Sequence, residues 1–191
     1  MNQLVDHYLL YRVRAKRDAE AFGRLYDQYV TSIYRFVYLK VPTREIAEDV
    51  TSETFLRFWQ AVLDAQDILN IRAYLYRIAR NLVVDYYRKQ ESTEPISGSV
   101  TFSDENTSSH NEGELSDRSK HVRLIEARAD LQIVLERIGR LKEDYQDVLK
   151  LRLIDGLAFG DIAKIIGKSA GNVRVIYHRA LKALDALDPT S

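Results

Sequence analysis

Arg77, Arg80, Asn81, Val84 and Arg88 recur at helical spacing inside the segment 71–90. Guanidiniums grip phosphates and an amide can read a base edge, so this face is suited to nucleic acid. Tyr74, Tyr76 and Tyr87 lie close by in sequence, and aromatic rings stack on unpaired bases. Leu75, Ile78, Ala79, Leu82 and Tyr86 make a separate apolar stripe, which seats the helix on a core. Taken alone, the same residues also describe a solvated basic face with tyrosines packed beneath it.

A second group stands near the other end of the chain. Ala163, Gly167 and Val173 follow one another at intervals of four and six residues. A small residue lets two helices cross closely, a glycine accepts the positive φ of a tight turn, and a β-branched residue packs the second helix back on the first. Ile162, Ile166 and Ile176 are expected to fill the wedge, and Ser169 to cap the second helix. This is the spacing of a DNA-binding helix-turn-helix. Its exposed positions are expected to be Asn172, Arg174, Val175, Tyr177, His178, Arg179 and Lys182. Asn and Arg pair with base edges in the major groove, while Arg179 and Lys182 can hold phosphates. A helical hairpin without a nucleic-acid role is the plainer alternative.

Composition limits the remaining chemistry. The 191 residues include no Cys, and the four His (His7, His110, His121, His178) are scattered. No metal site, cofactor or disulfide is expected. No nucleophile–base pair and no phosphate-binding glycine loop is present, and Asp85 has no second acid at a site, so an enzyme is not expected. No apolar run is long enough to span a membrane and the N-terminus lacks a signal-peptide layout, so the expected location is cytoplasmic.

The formal net charge is zero, but it is unevenly spread. Residues 1–90 carry 14 Lys/Arg and 11 Asp/Glu, residues 91–120 carry 2 and 7, and residues 121–191 carry 12 and 10. Two mildly basic modules flank an acidic stretch. Neither is basic enough to hold duplex DNA tightly by itself, because affinity grows with the number of phosphates neutralised. A partner protein is therefore expected.

The elements that must carry these groups are all helical. Residues 1–17 read as a helix, and Asp18 is placed to cap another running to about Lys40. Pro42 breaks the chain, and a third helix starts near Thr43 with acids in its first turns. Its inner face is Ala47, Val50, Thr54, Phe58, Ala61 and Val62. Glu48, Asp49, Ser52, Glu53 and Arg57 point elsewhere, and Phe55, Leu56 and Trp59 widen the apolar area. That suits either docking to a protein or burial on two sides. A polar loop, Asp64 to Asn70, leads into the basic helix. Residues 91–120 hold eleven Ser/Thr, seven acids and one aromatic, Phe102, which is the composition of a linker. Beyond it, a helix around Leu124–Ile138 and another from Asp144 to Asp155, ended by Gly156, precede the helix-turn-helix. The expected fold class is all-α: a helical domain at 1–90, an acidic flexible linker at 91–120 and a helix-turn-helix domain at 121–191.

Together these stretches resemble the sigma-70 family of sigma factors, in its short extracytoplasmic-function (ECF) group. Ala47 through Trp59 resembles the family's region that binds the clamp helices of the largest polymerase subunits. Tyr74 through Leu82, continuing to Arg88-Lys89, resembles the helix that melts and reads the −10 element. Asp147 through Arg152, Gly156-Leu157, Ile162-Ala163 and Gly171 through Arg174 resemble the region that reads the −35 element. The resemblance implies core RNA polymerase (clamp helices and flap) and promoter DNA as partners. It implies a polymerase contact through Glu48, Asp49, Ser52, Glu53, Phe55 and Trp59, and a −10 contact through Tyr74, Arg77, Arg80, Asn81 and Arg88. It also implies a −35 contact through Asn172, Arg174, Val175, Tyr177, His178, Arg179 and Lys182. Factors of this group are usually held by an anti-sigma factor, which is an expectation from the family alone. Lys142, Ala158, Val175 and Ile176 depart from the family's common residues. The competing function is a stand-alone helix-turn-helix regulator, which would have no use for the surface between Asp49 and Trp59.

Overall fold

The computed structural model describes residues 3–91 and 133–187, and these are helical with no strand among them. The acidic stretch expected to be a linker lies, beyond residue 91, outside the described residues, as does most of the helix expected around 124–138.

Four helices build the N-terminal unit: α1 (Gln3–Lys16), α2 (Ala19–Tyr38), α3 (Arg44–Leu63) and α4 (Ile71–Glu91). Their starts follow local chemistry. Asp18 accepts the Ala21 N–H at 3.0 Å to begin α2, and Thr43 accepts the Ile46 N–H at 3.3 Å to begin α3. Asn70 accepts the Ala73 N–H at 2.9 Å to begin α4. The apolar positions of α2 (Ala21, Leu25, Tyr29, Ile33, Phe36, Val37) are buried against α1, α3 and α4. Asp6 of α1, itself buried, takes hydrogen bonds from the Tyr29 hydroxyl (2.6 Å) and Gln28 (2.9 Å).

α3 ends in a Schellman motif. The Ala65 N–H bonds to Val62 O at 3.2 Å and the Gln66 N–H to Ala61 O at 3.1 Å. The left-handed residue is Ala65 (φ 56), where glycine is the usual choice.

The C-terminal unit contains α5 (133–139), α6 (Glu143–Leu149), a π-helical turn (Lys150–Ile154), α7 (Phe159–Ile166) and α8 (Ala170–Asp185). The single helix expected from Asp144 to Asp155 is thus split. The Asp155 N–H reaches back five residues to Lys150 O at 3.3 Å. In an α-helix Lys150 and Asp155 would sit about 140° apart around the axis. The i→i+5 register of a π turn brings them to the same side. Gly156 (φ 64) then closes the turn as expected. Gly167 takes the left-handed conformation (φ 69) between α7 and α8, and Ser169 Oγ accepts the Asn172 N–H at 3.2 Å. Ala158 and Lys142, at the starts of α7 and α6, offer no side-chain cap.

The two units are packed together. α4 lies on α7, and one continuous buried cluster runs from Leu25, Phe36, Phe58 and Tyr76 to Leu151, Leu157, Ile162 and Val173. A smaller cluster of Ile138, Leu149 and Ala180 joins α5, α6 and α8.

Candidate nucleic-acid interface

α4 presents three faces. Leu75, Ala79 and Leu82 are buried and Ile78 is half-buried, the stripe expected to seat the helix. Arg77, Asn81 and Arg88 are exposed and lie on one line at intervals of four and seven residues. A third face, containing Ala73, Tyr76, Arg80 and Val83, turns toward the C-terminal unit.

Arg80 is therefore separated from the other basic residues of its helix. Its Nε donates to Asp147 Oδ2 at 2.7 Å, and Glu143 and Asp144 lie 3.7 and 3.9 Å from its Nη2. Burial works against the guanidinium's charge, but the carboxylates, Asp147 foremost, outweigh it and hold its pKa above the ordinary value. Tyr74 is also partly committed. Its hydroxyl donates to Gln66 Oε1 at 2.7 Å, and Arg77 covers its ring at 5.0 Å. Arg14 of α1 binds the Gln66 carbonyl. The loop ahead of α4 is thus pinned from both sides. Tyr76 is fully buried and its ring is not free for stacking, whereas Tyr87 is exposed and anchored by its hydroxyl, which donates to Lys40 O at 2.7 Å.

On α8, Asn172, Arg174, Val175, His178, Arg179 and Lys182 are all exposed. Tyr177 is half-buried, edge-on to Phe159 at 5.4 Å. Arg174 and Arg152 both lie over the Phe159 ring, at 5.8 and 4.8 Å, so Phe159 orients two guanidiniums at this end. Phe159 was not anticipated, because the pairing depends on the α7–α8 crossing. Ile176 is buried, so its apolar character is a packing requirement; Val175, at 46% exposed, is the apolar residue on the outer face.

The outer surface of α3 is acidic with one apolar projection. Glu48, Asp49 and Ser52 are exposed, and Glu53 is half-exposed in an ion pair with Arg57 at 2.7 Å. Phe55 is not on this surface. It is 4% exposed and packs against Tyr26 at 4.6 Å, because the turn of the helix aims it into the α2–α3 crossing. Trp59 is half-buried, edge-on to Phe22 at 4.7 Å. Leu56 projects instead, 58% exposed, three to four residues along from Ser52 and Glu53.

The family model of Sigma-70 region 2 matches residues 25–93, and that of Sigma-70 region 4 matches residues 131–184. The ECF RNA polymerase sigma factor BldN of Streptomyces coelicolor is 32% identical over 174 residues, 90% of this chain and 62% of BldN. The chain thus spans less than two thirds of that relative's length. The ECF RNA polymerase sigma-E factor of Escherichia coli K12 is 32% identical over 183 residues, 96% of this chain and 94% of that protein. Among solved structures, CnrH in complex with the cytosolic domain of CnrY has a TM-score of 0.68 at 23% identity, over 96% of each chain. The sigma factor RpoE of Bartonella quintana, in complex with the anti-sigma factor NepR, has a TM-score of 0.62 at 20% identity, over 87% of this chain and 95% of that one. These structural likenesses agree on the fold, and the two region models with the sequence relatives decide the family: the chain belongs to the sigma-70 family of RNA polymerase sigma factors, in its ECF group.

Proposed function

We propose that the chain binds core RNA polymerase and directs promoter-specific initiation, with the N-terminal unit serving polymerase and the −10 element and the C-terminal unit serving the −35 duplex. The observation that carries this reading is one chain with two unlike basic helical surfaces, α4 and α8, plus an acidic surface on α3. A stand-alone helix-turn-helix regulator needs only the second of these, and is not favoured.

The residue roles follow from exposure and chemistry. Glu48, Asp49, Ser52 and Glu53 occupy the two turns before Leu56, which supplies the apolar anchor for the clamp helices. Trp59 and Phe55 stiffen that surface from beneath. Arg77 and Arg88 hold the −10 backbone, and Asn81 between them takes a base edge or sugar. Capture of unpaired bases at about 1–3 kcal/mol each is the scale needed to trap an opened duplex. Asn172 and Arg174 read base edges at −35, Val175 contacts a thymine methyl, and Arg179, Lys182 and His178 face phosphates. The mechanism is binding and strand capture, without a catalytic group.

No described helix is long and apolar enough to cross a membrane. The chain acts in the cytoplasm, where polymerase and chromosome are, and an anti-sigma factor is the expected protein regulator. The test is transcription by bacterial core polymerase on fragmented genomic DNA from the source organism, with and without the chain. Discrete 5′ ends that require the chain support the reading; identical transcripts in both reactions refute it.

A further inference from the structure

α1 has an inner and an outer face, and the inner one alone serves the fold. Leu9, Leu10 and Val13 are buried in the core, and the buried carboxylate of Asp6 is held by Tyr29 and Gln28. At about 100° per residue, Leu4, Tyr8, Tyr11 and Ala15 fall in a narrow stripe on the opposite side. All four are exposed, with Leu4 at 79%, Tyr8 at 60% and Tyr11 at 64%. Single exposed apolar residues are ordinary, but two tyrosine rings and a leucine on one stripe make a patch that folding does not require.

The charge around this stripe has one sign. Asp6 is the one acid of α1 and is buried, whereas Arg14 and Lys16 are exposed. Arg17, also exposed, follows at the corner into α2 in the left-handed conformation (φ 49). Arg12 is ion-paired with Asp18. A second copy of the chain laid on the stripe would bring like charges together. An anionic occupant with flat apolar faces fits both the cations and the rings, and unpaired nucleic acid is such a ligand.

Arg14 joins the stripe to the surface assigned to the −10 element. It lies three residues beyond Tyr11, so the two side chains are neighbours on the helix. Its guanidinium binds the Gln66 carbonyl. The Gln66 side chain takes the Tyr74 hydroxyl at 2.7 Å, and Arg77 covers the Tyr74 ring at 5.0 Å. Arg77, Tyr74, Gln66, Arg14 and Tyr11 therefore succeed one another from the exposed line of α4 onto α1. The bond to Gln66 uses only part of the donor set of Arg14, which can hold a phosphate as well.

We propose that the outer face of α1 is a further single-strand platform, on which Tyr11 and then Tyr8 stack unpaired bases flanking the −10 element while Arg14 and Arg17 hold their phosphates. The inference rests on the proposed role of α4. Every base has a face to stack, and that face is covered in a duplex. The platform therefore takes the opened strand with little regard to its sequence. It lengthens the captured segment and leaves the bases read by α4 unchanged.

The test uses holoenzyme, core polymerase with the full chain, and two single-stranded probes from a promoter mapped with this chain. One probe is the −10 element alone, and the other extends it by about five bases at each end, within the reach of one stacking platform. Wild type, Tyr11→Ala, Tyr8→Ala and Tyr11→Phe are titrated with both probes, with polymerase binding and circular dichroism measured for each. Tyr11→Ala is expected to bind the longer probe about fivefold more weakly or worse, and the shorter probe as wild type does. Tyr8→Ala should lose on the longer probe alone, and Tyr11→Phe should restore wild-type binding. Equal loss on both probes, or no loss on either, overturns the platform. Failure of Tyr11→Phe to rescue would make the hydroxyl the contact and overturns the stacking. Weakened polymerase binding by Tyr11→Ala would make α1 a protein-docking face and overturns the proposal as well. Failure of wild-type holoenzyme to bind either probe defeats the −10 reading of α4 itself, and the proposal with it.

Discussion

Asn70 and Asp161 meet at 3.0 Å where the N-terminal unit packs on the C-terminal unit, while the same Asn70 side chain turns its oxygen back to cap α4. One residue therefore starts the helix assigned to the −10 element and ties it to the helix-turn-helix. Asn70→Ala removes both functions and Asn70→Ser keeps a cap while losing the tie. Urea unfolding should show a cost of about 1 kcal/mol for the lost cap in Asn70→Ala, with a further loss from the tie. Asn70→Ser should recover the cap share alone. Equal costs for the two variants would mean that the cap contributes nothing.

Ala65 holds a left-handed conformation at the end of α3, where glycine carries no Cβ penalty. Ala65→Gly should stabilise the chain by up to about 1 kcal/mol, the relief of strain being partly offset by the freedom glycine gains when unfolded. A thermal melt at matched protein concentration reads this directly. A lower melting temperature would show that the turn tolerates alanine without strain.

Leu56 and Phe55 are adjacent in sequence and opposite in role. Leu56→Lys should leave stability within about 0.5 kcal/mol, since the side chain is largely exposed. It should weaken core-polymerase binding at least tenfold. Phe55→Ala should instead cost about 3–5 kcal/mol of folding stability, because it empties the contact with Tyr26. Chemical unfolding beside polymerase titration separates the two. Unimpaired polymerase binding by Leu56→Lys would remove α3 from the interface.

Arg174→Ala should weaken −35 duplex binding by about 1–3 kcal/mol and relax preference at one base pair, with polymerase binding unchanged. Asn81→Ala should slow formation of heparin-resistant complexes while leaving initial duplex binding as in wild type. Electrophoretic mobility shifts and heparin challenge on one promoter measure both. A uniform loss across all sequences for Arg174→Ala would make it a phosphate contact.

Lys150 carries a pH dependence of definite sign. Burial foremost, with Lys40 adding to it and Asp147 opposing it, lowers its pKa from 10.5 to about 8. Between those values the unfolded chain binds a proton that the folded chain lacks, so this group's contribution to stability rises with pH across that window. Below about pH 8 the full charging cost is present, up to about 3 kcal/mol at 1.36 kcal/mol per unit. Lys150→Met removes that cost and also the bond to Leu39 O. Its stability relative to wild type should therefore be greatest near pH 7.5 and fall steadily toward pH 10. A difference that does not change with pH would show that Lys150 is solvated in the folded chain.

What the sequence made legible was local. The caps at Asp18 and Ser169, the turn at Gly167, the buried stripe of α4 and the exposure of Asn172, Arg174, Val175, His178, Arg179 and Lys182 all follow from spacing within a dozen residues, whereas Tyr177, expected on the same face, is half-buried against Phe159. What it did not make legible came from contacts between distant segments. Arg80 has the same residue type and nearly the same spacing as Arg77, and only the approach of α6 to α4 distinguishes them. Phe55 and Leu56 both widen an apolar stripe on paper, and only the position of Tyr26 decides which one is inside. The π turn at Lys150–Ile154 has no signature in a run of Leu, Ile, Lys and Arg that reads as ordinary helix. Its register is tied to Arg35 and Leu39 at the end of α2, 120 and 111 residues upstream.

Polymerase binding is decided by gel filtration of the purified chain with bacterial core RNA polymerase, run beside Leu56→Lys. Co-elution of wild type and separate elution of a folded Leu56→Lys are expected. Separate elution of a folded wild-type chain would contradict the sigma reading.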